Sequence, residues 1–293
     1  MIVDPHHHLW DPGRNTYPWL QGEMHDRGWG DLRPLQQPYL VANLLADAAR
    51  QGLQKSVHVQ ANFDPADPVG ETAWLEGVAA ESGFPHGIVG FADFSSPDVE
   101  SVLERHSQHT RMRGIRQVLN RHPNPVLNRA PKDFLADETW QKKLGLLQRY
   151  GWSFDAQVYY QQMPALAALA RRYPDMQFVL DHAGMPADRD AAGVEGWKRG
   201  MQQLAACSNI AVKLCGYGMV DTKWTVDSIR PFVLQPIEWF GPERSMFASN
   251  FPVDRLMASY DRLWNAYRDI SAGFSSAEKA LLFRENAERI YRI

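Results

Sequence analysis

The segment Ile2-Val3-Asp4-Pro5-His6-His7-His8-Leu9-Trp10-Asp11 couples a short apolar run to three polar residues at alternate positions, Asp4, His6 and His8. Alternate side chains of an extended backbone project to one side, so these three are predicted to share a face, with Pro5 and His7 on the other. Two imidazoles are thereby aimed together, and a His-x-His pair on one strand offers two nitrogen ligands to a divalent metal. Consecutive histidines also occur in solvated tracts, tag remnants and hydrogen-bonded structural pairs. Here they are set in an apolar strand pattern, which favours a buried strand end.

Working outward, the same strand signal recurs. Lys55-Ser56-Val57-His58-Val59-Gln60 is a short strand whose His58 and Gln60 share one face, and further strands are predicted at 87–91, 112–117, 153–158, 177–182, 210–214 and 246–249. Between them the spacing is helical, as at 39–53, 136–150, 163–173 and 194–207, with a final helix over 276–291. Eight strands alternating with helices predict an α/β fold, a closed (β/α)8 barrel rather than an open doubly wound sheet, and no glycine-rich dinucleotide fingerprint competes. Residues 12–38, rich in Gly, Pro, Trp and charge, read as a long loop folded over the barrel mouth. Trp10, Tyr17, Trp19 and Trp29 either line a pocket there or fill the mouth.

Length and composition agree with one large domain over residues 1–293, for no linker or domain-sized break interrupts the pattern. The 31 basic and 34 acidic residues give a formal charge of −3 with no long single-sign block, which argues against a nucleic-acid or anionic-membrane partner and for a small molecule. Two cysteines, Cys207 and Cys215, are too few for a disulfide framework. No secretory signal or membrane-length apolar run is found, so a soluble cytoplasmic protein is expected.

Barrels of this kind carry their reactive groups at the C-terminal ends of the strands. There the sequence places His6, His8 and the neighbouring Trp10, then His58 and Gln60, Arg116 and Gln117, Asp155 and Gln157, His182, Lys213 and Asn250. Structural alternatives exist for several: Lys213 and Asp155 as a buried ion pair filling the barrel, His58 as a hydrogen-bonded core histidine. His182 reads as functional, because an apolar run ends on it and the turn Ala183-Gly184-Met185-Pro186 follows.

The stretches Asp4-Pro5-His6-His7-His8-Leu9-Trp10, Leu180-Asp181-His182-Ala183-Gly184 and Phe247-Ala248-Ser249-Asn250-Phe251-Pro252-Val253-Asp254 resemble the signature motifs of the amidohydrolase superfamily. More narrowly, they resemble its amidohydrolase-2 branch of sugar lactonases and 2-pyrone-4,6-dicarboxylate hydrolases, as do Gly114-Ile115-Arg116-Gln117 and Val212-Lys213-Leu214. The resemblance implies a distorted TIM barrel that hydrolyses an ester or lactone. In that pattern His6, His8 and His182 either hold one divalent ion or polarise the substrate carbonyl directly, and Arg116 grips a substrate carboxylate or hydroxyl.

One departure matters. Asn250 stands where many members carry an aspartate as ligand and base, and an amide takes no proton at neutral pH. Asp155 or His182 is expected to accept the proton instead, and Asp254 to point elsewhere. Lys213 on the seventh strand argues against a two-metal centre. One weakly held ion at His6, His8 and His182, zinc by preference, is expected, with a metal-free site as the alternative.

The expected activity is therefore opening of a lactone of a sugar acid or aromatic-catabolism intermediate. His6, His8, His182, Asn250 and Asp155 are the catalytic candidates, and His58, Gln60, Arg116, Gln117, Lys213 and Trp10 the substrate contacts. A decarboxylase of the same branch and a non-catalytic small-molecule-binding barrel are the rivals, and a homodimer is a possible assembly.

Overall fold

The computed structural model describes residues 1–22 and 27–293. Strands β1 (Ile2–His7), β2 (Leu53–Val59), β3 (Gly87–Gly90), β4 (Met112–Val118), β5 (Ser153–Gln157), β6 (Phe178–Leu180), β7 (Ile210–Leu214) and β8 (Ser245–Phe247) run parallel in sequence order. Helices α1 (Pro18–Gln21) and α2 (Val41–Asp47) precede β2. Then α3 (Gly70–Ser82), α4 (Val99–Ser107), α5 (Glu138–Leu144), α6 (Met163–Arg172), α7 (Ala191–Ala205) and α8 (Val226–Phe240) alternate with the strands. After β8 come α9 (Tyr260–Ile270), α10 (Ser276–Ala280) and α11 (Asn286–Tyr291). All eight expected strands form, and the result is a (β/α)8 barrel.

The strand period of two separates two cores. Val3, Val57, Val59, Val89, Val179, Ala211 and Met246 form an inner cluster with Ala287, Ile290 and Tyr291 of α11. Ile88, Ile115, Phe154, Phe178, Leu180, Ile210, Val212, Leu214 and Phe247 join the larger cluster built with the surrounding helices. Each such aliphatic or aromatic side chain removed from water contributes roughly 1.5–3 kcal/mol. The chain end closes the N-terminal end of the barrel, where Lys55 Nζ donates to the Ile293 carbonyl at 2.9 Å.

Helix starts follow their capping residues. Asp137 accepts from the amides of Thr139 and Trp140 ahead of α5, Asp190 from Gly193 ahead of α7, and Ser275 and Glu278 form a reciprocal box ahead of α10. Periodicity overran the helix ends. The expected helix over 39–53 is only Val41–Asp47, and that over 136–150 is α5 followed by a 3-10 stretch, Gly145–Tyr150. The final helix is continuous through a π-helical segment, Leu281–Glu285. The expected mouth loop contains α1 and a 3-10 turn, Arg33–Gln36; its residues 23–26 lie outside the described residues.

Two irregularities of the barrel position the site. First, β1 is bulged: Asp4 pairs with Ser56 but His7 with His58, so three steps on β1 face two on β2. The expected common face of Asp4, His6 and His8 is therefore broken. Asp4 turns to Ser249 Oγ and the Tyr260 hydroxyl, whereas His6 and His8 reach the barrel mouth. Second, the seam between β8 and β1 is closed by the segment after β8. The Asn250 amide donates to the His6 carbonyl and the His8 amide to the Phe251 carbonyl, each at 2.7 Å.

Candidate active site

A cavity of about 400 Å³ opens at the C-terminal ends of the strands, lined by His8, Arg116, Gln157, His182 and Asn250 from the barrel and by Trp19, Arg27, Trp29 and Arg129 from the loops. Beneath it lies a column of charge. Lys213 Nζ donates to Asp155 Oδ2 at 2.6 Å and stands 3.4 Å from Asp181 Oδ1; all three side chains are 0% exposed. Tyr291, entering from α11 below, donates to the same Asp155 oxygen at 2.7 Å. Burial alone would lower the Lys213 ammonium, but Asp155 and then Asp181 outweigh it and hold the group above its usual value. Burial likewise would raise Asp181, and Lys213 and His6 overcome it and keep the carboxylate ionised.

Above this column the imidazoles are oriented by their partners. His6 Nδ1 faces Asp181 at 3.3 Å and its Nε2 faces an Arg116 nitrogen at 3.5 Å. Arg116 is further fixed by the Gln60 carbonyl and by Gln157 Oε1 at 3.4 Å. His8 Nδ1 lies 2.6 Å from the Val59 carbonyl, which can only accept, so that nitrogen carries the hydrogen and Nε2 carries the lone pair. Nε2 faces Asn250 Oδ1 at 3.4 Å, and Asn250 Nδ2 donates to Asp254 Oδ1 at 3.3 Å.

His182 and Asn250 both adopt left-handed backbone, with φ of 57° and 58°. Asn tolerates this conformation; for His182 it costs about 1–3 kcal/mol and turns the ring back over His6, 4.6 Å between centroids. His182 Nδ1 stands 3.3 Å from Cys215 Sγ. A side chain at Gly216, itself at φ 71°, would meet Nδ1 at 2.6 Å, so the ring fits only because that position is glycine. Burial lowers His182 to about 3 and leaves it neutral at physiological pH.

Strand parity decides which expected residues meet here. His8, Arg116, His182 and Asn250 line the mouth, and His6 lies buried directly beneath, 4.6 Å from the His182 ring. Lys213 and Asp155 are together, but below it, as the buried ion pair; Asp155 is engaged by Lys213, Tyr291 and Ser153 and does not line the cavity. Gln117 lies on the outer face of β4, accepting from Trp140 Nε1 at 2.7 Å and donating to Asp93 at 2.9 Å. His58 accepts from the Leu9 amide and faces Glu71, the hydrogen-bonded core role, and the Gln60 side chain turns to Asn62, leaving only its carbonyl to the site. Trp10 backs the site, stacked on His8 and donating to the Gln37 carbonyl.

Three residues not among the sequence candidates belong to the group. Asp181 was adjacent to His182, and only the left-handed turn lets neighbours both face inward. Cys215 continues the inner row Ala211, Lys213. Asp254, expected to point elsewhere, is buried against Asn250, and burial raises its carboxyl to about 7 against the pull of that hydrogen bond.

Lys213 carries a prediction of its own. Lys213→Met leaves two buried carboxylates without their ammonium, and urea unfolding should show a loss of about 3–5 kcal/mol.

A family model described as Amidohydrolase (Amidohydro_2) matches residues 3–293. The chain belongs to the amidohydrolase-2 family. This amidohydrolase is 46% identical to an uncharacterised protein, y4mH, of Sinorhizobium fredii, over all of this chain and 98% of that one. It is 30% identical to an L-fucono-1,5-lactonase of Burkholderia multivorans, over 99% of this chain and 96% of the relative. A crystal structure of a Burkholderia multivorans amidohydrolase with bound zinc superposes with a TM-score of 0.83 at 27% identity, over all of this chain and 99% of that one.

The donors present fit a metal ion. The ligand atoms of His6, His182 and Cys215 lie within 4.8 Å of one another. His8 Nε2 and Asn250 Oδ1 face each other with no hydrogen to share, an arrangement a cation relieves. Nitrogen and sulfur donors suit zinc. Among the described residues, no helix is long and apolar enough to cross a membrane.

Proposed function

We propose that this amidohydrolase opens a lactone by attack of water on the carbonyl, acting as one domain over residues 1–293 on a small-molecule substrate in the cytoplasm. The observation that carries this reading is the convergence, on one cavity, of the Arg116 guanidinium, the His8 and His182 imidazoles and an Asn250 amide backed by Asp254. His6 and His182, whose ligand atoms stand with that of Cys215 within 4.8 Å of one another, would hold one divalent ion together with His8, zinc by preference, and that ion would polarise a carbonyl and lower the pKa of water.

The chain's own residues do the rest. Arg116, fixed by Gln60, Gln157 and Asp181, binds the carbonyl oxygen and balances the negative charge as it develops. Asn250 cannot take a proton, but with Nδ2 given to Asp254 its Oδ1 accepts a hydrogen from the attacking water and orients it. Asp254, hydrogen-bonded to Asn250 and with a carboxyl raised to about 7 by burial, lies behind that residue and not in the cavity wall; we assign it the proton passed back from the water at Asn250, and return of that proton to the ring oxygen as the C–O bond breaks completes the opening. Asp155 is replaced in that role, since its oxygens are held by Lys213, Tyr291 and Ser153.

The test is a panel of sugar-acid and aromatic-derived lactones assayed by proton release, with metal content measured before and after chelation. About one ion per chain, with activity lost on chelation and restored by zinc, is the expected result. Carbon dioxide release from carboxylated phenols without lactone opening would overturn the reading in favour of a decarboxylase.

A further inference from the structure

Beneath the cavity stands a sulfur atom to which the hydrolytic chemistry gives no task. Cys215 follows β7 and is fully buried, with its Sγ 3.3 Å from His182 Nδ1. A zinc ion bonded to one sulfur at about 2.3 Å and one nitrogen at about 2.0 Å sets the two roughly 3.5 Å apart at the tetrahedral angle, close to the separation found here. The ligand atom of His6 lies within 4.8 Å of both, which gives three donors at the ends of β1, β6 and β7. Gly216 keeps the flank of His182 Nδ1 open, for a Cβ at that position would stand 2.6 Å from the nitrogen.

The same separation also suits a thiol donating to an imidazole, so the surrounding charges decide. Two cations stand against His6: Lys213 Nζ is 3.5 Å from its Nδ1, and an Arg116 nitrogen is 3.5 Å from its Nε2. A divalent ion held by neutral imidazoles alone would face both, and repulsion between buried charges this close is strongly unfavourable. An anionic donor in contact with the ion offsets it. Asn250 is an amide, Asp254 lies behind it, and the Asp155 oxygens are taken by Lys213, Tyr291 and Ser153. Asp181 is shared between Lys213, Arg116 and His6. Cys215 is the remaining group among the described residues beside these rings that can become an anion, by loss of its S–H proton. An independent sign of a cation comes from the next ring, where His8 Nε2 and Asn250 Oδ1 present lone pairs to each other at 3.4 Å.

We infer that Cys215 is a thiolate ligand of the ion, the anionic donor of a site in which Asn250 supplies no charge, and that it makes the site select zinc and cadmium over magnesium and manganese. This rests on the metal-assisted lactonase reading above. On binding, the S–H bond breaks, a sulfur–metal bond forms and the proton leaves to solvent, with no change of oxidation state. Soft thiolate donors favour zinc and cadmium, whereas magnesium and manganese are suited by carboxylate and water oxygens. The residue that sets the metal preference thus follows β7, not β8.

Cobalt(II) is the probe, because it enters tetrahedral zinc sites and shows an intense thiolate-to-cobalt charge-transfer band in the near ultraviolet when sulfur is bound. It is titrated into the chelator-treated full chain as wild type, Cys215→Ser and Cys207→Ser. Cys207, the chain's other cysteine, donates to the Ala167 carbonyl and serves as the control. The band is expected in wild type and Cys207→Ser, saturating at about one cobalt per chain, and is expected to be absent in Cys215→Ser. Zinc affinity, read by competition with a chromophoric chelator, should fall at least about a hundredfold in Cys215→Ser, since loss of an outer-shell partner alone costs about 10–100-fold. Cadmium should displace the cobalt and excess magnesium should not. Cobalt binding without the band, a band kept in Cys215→Ser, or no cobalt binding by the wild type overturns the thiolate ligand. If Cys215→Ser does not fold, Cys207→Ser decides, for its one thiol is Cys215: the band supports the ligand and its absence overturns it. Lactone opening is assayed on the same samples. Turnover without the band overturns the thiolate ligand and leaves the lactonase reading intact, and the band with no lactone opened keeps the ligand and overturns the lactonase reading.

Discussion

Replacing His182 by Asn is expected to lower kcat/KM for lactone opening by about 10²–10⁴-fold while the protein stays folded. Asn is the informative substitution because position 182 has φ 57°, a conformation Asn adopts more readily than other residues with side chains. The backbone turn that carries Asp181 is thereby kept, and only the imidazole facing His6 and the cavity is removed. Burial already lowers His182 to about 3, so the wild-type group is neutral throughout the working range and the variant changes no charge. Steady-state kinetics and thermal denaturation together decide it: near-normal rates would remove His182 from the mechanism, and loss of folding would make its role structural.

The second large effect is expected at Asp254. As proton acceptor with a carboxyl near 7, it works in its ionised form, so the wild-type rate should rise as pH is raised through about 7. Asp254→Asn should lower kcat by about 10²–10⁴-fold and abolish that rise. Stability should move the other way. The folded-state value lies above the unfolded one, so the native state binds more protons between them and wild-type stability falls as pH rises from about 4 to about 7. The amide needs no ionisation, and above pH 7 Asp254→Asn should unfold at higher denaturant than the wild type. A variant that is more stable and less active marks a group strained for function. A variant that is less stable, or equally active with the same pH profile, would return Asp254 to a structural role.

These predictions place the chemistry on a polar tier above a charged one. Lys213 and Asp155, read from the sequence as either substrate contacts or barrel filling, form the lower tier, where the ion pair and the Tyr291 hydroxyl leave no face open to substrate. Their influence on the cavity passes through Asp181, which faces Lys213, His6 and Arg116 within 3.7 Å. The C-terminal helix is thus connected to the active site through the interior of the barrel.

The sequence by itself determined the barrel, because alternation of two-residue and helical periods is written locally and survives without knowledge of the partners. It also determined that His6, His8, Arg116 and His182 end strands on one rim, since the C-terminal ends of parallel strands in a barrel lie together. What tertiary structure alone decided was the facing of individual side chains. A bulge in β1 separated Asp4 from His6, strand parity sent His58, Gln60 and Gln117 outward, and a left-handed turn brought Asp181 and His182 inward together. Asp254 came to lie against Asn250 because the β8–β1 seam is closed by the segment that carries both. Such features depend on one-residue shifts and on contacts between the two ends of the chain, and a pattern of residue types carries neither.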